Sequence, residues 1–148
     1  MSPHSGGTVP DLHRVPLPLA WFGPEPTMAP VPLSRLAFTW LPVVAWAALI
    51  FALSSIPDLG TGLGGWDLAL RKAAHLAEYA VLGALLARAL YNTIAGWAWL
   101  SWAAGTAYAA SDELHQHFVP GRQASALDLA IDATGVAVGV LAVRFAWR

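Results

Sequence analysis

The sequence predicts an all-α membrane protein, a four-transmembrane-helix bundle with a disordered Pro-rich N-terminal tail. Three observations carry that expectation. Mean hydropathy over the 148 residues is +0.54, with 57% hydrophobic and 11% charged side chains, which places the surface in lipid rather than water. Four apolar runs long enough for helices follow one another, and eight of the eleven prolines fall in the first 33 residues, where they rule out a sustained helix. The length is that of one domain. A net charge of −1 without a basic tail gives no footprint for nucleic acid. The chain has no cysteine, which removes disulfides, thiolate catalysis and cysteine-based zinc sites.

Residues 1–33 are the tail and 34–148 the helical domain. The tail lacks a basic stretch followed by an apolar one, so it does not read as a secretory signal. Met28, just ahead of the first apolar run, offers a second start of translation. Helix 1 is expected over 36–54, "LAFTWLPVVAWAALIFALS", which is uncharged and long enough to cross about 30 Å of hydrocarbon. Pro42 kinks such a span without forbidding it. The competing reading is a signal peptide cut near "ALSS", against which stands the length of the run. Residues 55–70 read as a Gly-rich loop with an amphipathic end. Helix 2, over 72–91, carries Lys72, His75, Glu78 and Arg88, the last reaching to the interface. Only Asn92 and Thr93 separate it from helix 3, over 94–110, so the two form an antiparallel hairpin. A polar stretch follows, and helix 4, over 127–147, contains Asp128 and Asp132.

Lysine and arginine positions favour a cytoplasmic N- and C-terminus. Arg14, Arg35, Arg88, Arg144 and Arg148 then lie inside, and Arg71, Lys72 and Arg122 outside. Trp97, Trp99 and Trp147 fall near the inner interface and Trp66 near the outer one. The start of helix 2, the end of helix 3 and the start of helix 4 share one end of the bundle in either orientation.

Helical spacing collects the ionisable residues into stripes. Lys72, His75, Glu78 and Tyr79 occupy one face of helix 2. Ser101, Gly105, Tyr108, Asp112 and His115 line up on helix 3. On helix 4 the stripe is Asp128, Asp132, Gly135 and Gly139, whose GxxxG pair permits close packing beneath the carboxylates. Ionisable groups at membrane depth are costly, face the bundle interior and mark function. Plainer roles compete at several positions. Ser125 and Asp128 fit an S-x-x-D cap for helix 4. Arg71 and Lys72 can snorkel, and Glu113, turned away from the Asp112 stripe, reads as solvated rim. His4, His13 and His117 receive no role. Asp132, a turn inside its helix, needs a partner, with Lys72, Arg122 and His75 as candidates.

The stretches "RKAAHLAEYAVLGALLARAL" and "SDELHQHFVPGRQASALDLAIDATGVAVG" resemble the VanZ-like family of small bacterial membrane proteins, and the resemblance runs from about Arg35 to Arg144. The matching positions are Lys72, His75, Glu78, Tyr79, Asp112, Glu113, Gln116, Pro120, Gly121, Arg122, Ser125, Asp128 and Gly135. Asp132 departs from the pattern, where Asn is the associated form. The family takes its name from a teicoplanin-resistance determinant. The resemblance therefore implies a multi-pass protein of the bacterial inner membrane with a role in the cell envelope and in glycopeptide susceptibility, and it gives weight to Glu113.

Three functional readings follow. In the first, the polar site binds or processes an anionic envelope molecule: a lipid headgroup, a lipid-linked precursor or a peptide carboxylate. His75, Glu78, Asp112 and His115 are the acid/base candidates, and Lys72, Tyr79, Glu113, Gln116, Arg122, Asp128 and Asp132 the binding ones. In the second, the cluster is a structural network in a scaffold or regulator, with its protein partner undefined. In the third, the i, i+3 pairs His75/Glu78 and Asp112/His115 hold a metal, although no compact zinc signature is present and Lys72 and Arg122 disfavour a cation. No residue pattern specifies a cofactor.

Overall fold

The computed structural model describes residues 32–57, 65–91, 93–122 and 124–147. Every regular element among them is a helix: α1 (Leu33–Ser54), α2 (Gly65–Leu90), α3 (Trp97–Gln116) and α4 (Ala126–Ala146). Three of the four are long and apolar enough to cross a membrane, namely α1, α2 from Trp66, and α4. In α3, Ser101, Thr106, Ser111, Asp112, Glu113, His115 and Gln116 dilute the apolar character. Of the predicted tail, residues 1–31 lie outside the described residues, while Pro32 caps α1 and Leu33 begins it, three residues before the expected start.

Boundaries differ from expectation at two places. Helix α2 begins seven residues early, so 65–71, expected in and beside the loop, form its first two turns, with Asp67 near the positive helix end. Helix α3 starts later and runs on through Gln116, so half of the expected outer loop is helix. Its start is set by Gly96, whose φ of 75° ends the turn from α2 in a conformation that glycine adopts without strain. Extending α3 keeps Asp112, Glu113, His115 and Gln116 on a rigid rod.

Helix α2 touches all three of the others. Its most extensive neighbour is α4, while α1 lies along α2, only brushes α3 and does not reach α4. The α2–α4 seam is built on glycine. A Cβ on Gly139 would collide with the Ala80 carbonyl oxygen, one on Gly135 with that of Leu76, and one on Gly83 of α2 with that of Val136. The expected Gly135/Gly139 pair thus brings two backbones together, and Gly83 answers it from the other helix. Around this seam, Ile50, Tyr79, Leu82, Leu86, Ala87, Ala109, Val136 and Val140 form the core. Phe38, Leu41, Trp66, Trp99 and Phe145 project outward, an apolar exterior suited to lipid.

Helix α1 continues through Pro42. Proline has no N–H, so the carbonyl of Phe38, four residues earlier, loses its helical donor. Arg88 of α2 fills the gap: its Nη2 reaches the Thr39 carbonyl at 3.2 Å and that of Phe38 at 3.5 Å. Arg88 therefore does more than reach for the interface. At the same end, Tyr91 packs edge-on against Trp97 and Trp147, each 4.9 Å away, and its hydroxyl donates to the Trp147 carbonyl. Residues 31–148 form one compact unit.

Candidate functional site

At the other end, the first half of α2, the C-terminus of α3, the start of α4 and the end of α1 converge. The 117–125 connection is shaped by a type II turn, in which Arg122 N–H donates to the Val119 carbonyl at 3.1 Å across Pro120 and Gly121, the glycine at φ 81°. Ser125 then caps α4, its Oγ accepting from Asp128 N–H at 3.3 Å. The expected cap is present, but Asp128 does not complete it. The backbone N–H of Ser125 goes instead to Glu113 Oε2 at 2.8 Å. That leaves Asp128 free to meet Lys72, whose Nζ is 2.7 Å from Oδ1 in a partly exposed pair.

Deeper in, His75 Nδ1 lies 3.0 Å from Asp132 Oδ1, with Asp132 fully buried. Of the three partners weighed for Asp132, His75 is the one the structure brings to it. Arg122 turns elsewhere, donating from Nη2 to Gln116 Oε1 at 2.8 Å. Gln116 passes the link on, its Nε2 donating to Asp112 Oδ2 at 2.9 Å. Asp112 also accepts from the Tyr79 hydroxyl at 3.2 Å and, on Oδ1, from Ser54 Oγ at 2.6 Å. This 3%-exposed carboxylate has three donors around it and is held by α1, α2 and its own helix.

Helix α1 was expected only as a span, yet it supplies two hydroxyls to the site. Ser54 reaches Asp112, and Ser55 Oγ sits 3.0 Å from His115 Nε2. Ser55 Oγ also lies 2.6 Å from the Phe51 carbonyl, and when its proton is donated there it accepts from His115 Nε2–H. The His115 ring also packs on Phe51, 4.4 Å between centroids. Nothing in the sequence distinguishes Ser54 and Ser55 from serines at any helix end.

Glu113 overturns its reading as solvated rim. It is 6% exposed, and its Oε1 is buried without a hydrogen-bond partner; Asp132 Oδ2 shares that condition. His75, Glu113 and Asp132 each place a ligand atom within 4.8 Å of the other two. Among the described residues this is the group of three or more spaced to share a metal ion. Of the four residues expected as ligands, His75 alone belongs to it, while Asp112 and His115 are engaged as described and Glu78 faces a cavity.

That cavity, of about 190 Å³, opens between α1 and α2 beside the loop. Ile50, Leu53 and Leu70 give it apolar walls, and Asp67, Arg71, His75, Glu78, Asp112, Gln116 and Arg122 line its polar part. Among the described residues, no hydrogen bond engages the Glu78 side chain; its carbonyl accepts from Trp46 Nε1 at 2.9 Å. Among the described residues at this end of the bundle are six carboxylates (Asp67, Glu78, Asp112, Glu113, Asp128, Asp132) and three permanent cations (Arg71, Lys72, Arg122).

Long apolar helices joined at one end by a buried cluster of carboxylates, histidines and an arginine define a small multi-helix membrane protein with a polar site. Its sequence matches the VanZ/LLP1 family over residues 27–147, and the chain belongs to that family. Comparison with curated proteins and with solved structures finds no match.

Proposed function

We propose that the protein is a four-span component of the bacterial inner membrane that binds or processes an anionic headgroup of an envelope molecule at the outer end of its bundle. The observation that carries this reading is the cavity beside α1, where Arg122 and Arg71 stand over the His75–Glu78 face of α2. Arginine presents a planar fork of donors suited to phosphate or carboxylate. About 190 Å³ is below the range of pockets that enclose a drug-sized molecule, but it admits a headgroup whose tails remain in lipid. Helix α3 completes the four spans in this reading. Its 20 residues measure about 30 Å, and its polar face is shielded by the other helices.

Native mass spectrometry of the protein in mild detergent, wild type beside Arg122→Ala, tests the reading. A phospholipid or polyprenyl-phosphate species should accompany the wild type and be lost from the variant. Equal, empty spectra overturn it and favour the structural-network reading, which draws support from the chain Ser54–Asp112–Gln116–Arg122 that ties α1, α3 and the loop together.

A further inference from the structure

The cluster behind the cavity has an unfilled requirement. Glu113 and Asp132 are both more than nine-tenths buried, come from different helices, and each keeps one carboxylate oxygen with no protein donor. Burying an unpartnered carboxylate oxygen costs several kcal/mol, so such oxygens are ordinarily met by a donor, a proton or a cation. Of the nearby permanent cations, Lys72 is paired with Asp128, while Arg122 gives Nη2 to Gln116 and keeps a buried Nη1 that donates to neither acid. What stands beside the two acids is an imidazole.

We propose that His75, Glu113 and Asp132 bind one divalent transition-metal ion, Zn²⁺ or Mn²⁺. One nitrogen and two carboxylate oxygens within 4.8 Å of one another need contract little: ligand atoms about 2.0–2.2 Å from a shared ion lie roughly 3.0–3.4 Å apart. The hydrogen bond of 3.0 Å between His75 Nδ1 and Asp132 Oδ1 already holds these two side chains side by side. Three protein ligands leave a coordination position open, the pattern of metal sites that receive an external oxygen ligand. The support around the ligands is also built. Ser125 N–H holds Glu113 Oε2, so Glu113 offers Oε1, and the glycine seam fixes Asp132 relative to His75. Lys72, earlier counted against a cation, is neutralised by Asp128 and so opposes the ion far less than its formal charge suggests.

The inference stands apart from the headgroup reading, because its test contains no lipid ligand and Arg122→Ala leaves the three ligands intact. The full-length protein, stripped with chelator in mild detergent, is titrated with Zn²⁺ and with Mn²⁺ by calorimetry, and bound metal is counted by mass spectrometry. Wild type should take up one equivalent of at least one ion, and Asp132→Asn and Glu113→Gln should each weaken uptake at least tenfold. Glu78→Gln and the double variant His4→Ala/His13→Ala should retain it. Co²⁺-loaded wild type should show the visible absorption of a nitrogen/oxygen site, a readout that survives should either ligand variant fail to fold. No saturable uptake by wild type overturns the proposal, as does uptake unchanged in both ligand variants.

Discussion

Asp112 shows what a single residue contributes when three elements lean on it. Its carboxylate accepts hydrogen bonds from Ser54, Tyr79 and Gln116, and an amide in its place would set its own NH2 against one of those donors. Asp112→Asn should therefore cost about 1–3 kcal/mol, seen as a lowered midpoint of thermal unfolding in detergent. Glu78→Gln should leave the same midpoint in place, since no hydrogen bond among the described residues holds that side chain. At this scale the sequence was informative where helical spacing does the sorting. Lys72, His75, Tyr79, Asp112 and Asp132 fall on their stripes and meet across helices. Glu113 was illegible from spacing, because its environment comes from the Ser125 backbone, twelve residues on and in another element. Ser54 and Ser55 were hidden for a similar reason: which helix end a hydroxyl meets is decided by packing, not by its neighbours in sequence.

Between elements, the pairing of Pro42 with Arg88 joins α1 to α2. Removing the guanidinium takes away the donor shared by the Phe38 and Thr39 carbonyls, so Arg88→Leu should lower the midpoint of thermal unfolding. Pro42→Ala restores the missing N–H. The double variant should therefore recover most of the loss, a coupling measured by a double-mutant cycle in thermal unfolding. The identities of the four helices were legible from hydropathy, since each run is long and mostly apolar. Their ends were not. Polarity placed the loop boundary at Ser111, but α3 runs on because Asp112, Glu113 and Gln116 find partners inside the bundle and have no need of solvent.

For the whole molecule, the expectation of cytoplasmic termini rests on Arg14, Arg35, Arg88, Arg144 and Arg148 against Arg71, Lys72 and Arg122. The lack of native cysteine makes this easy to check. In intact spheroplasts a membrane-impermeant maleimide should label Ala124→Cys, in the loop beside the site, and spare Thr93→Cys at the opposite end; the reverse pattern would invert the orientation. The same three-dimensional picture distinguishes two kinds of helix boundary. Between α2 and α4 the backbones touch through glycines, and nothing can pass without unmaking the fold. Helix α1 rests on α2 through side chains, and beside the cavity it is held by the Ser54 and Ser55 hydroxyls, the Phe51–His115 ring contact and the Trp46 bond to the Glu78 carbonyl. In the headgroup reading, the cleft under α1 is thus a sideways doorway, through which a molecule with a water-loving head can enter while its hydrocarbon tails stay among neighbouring lipids.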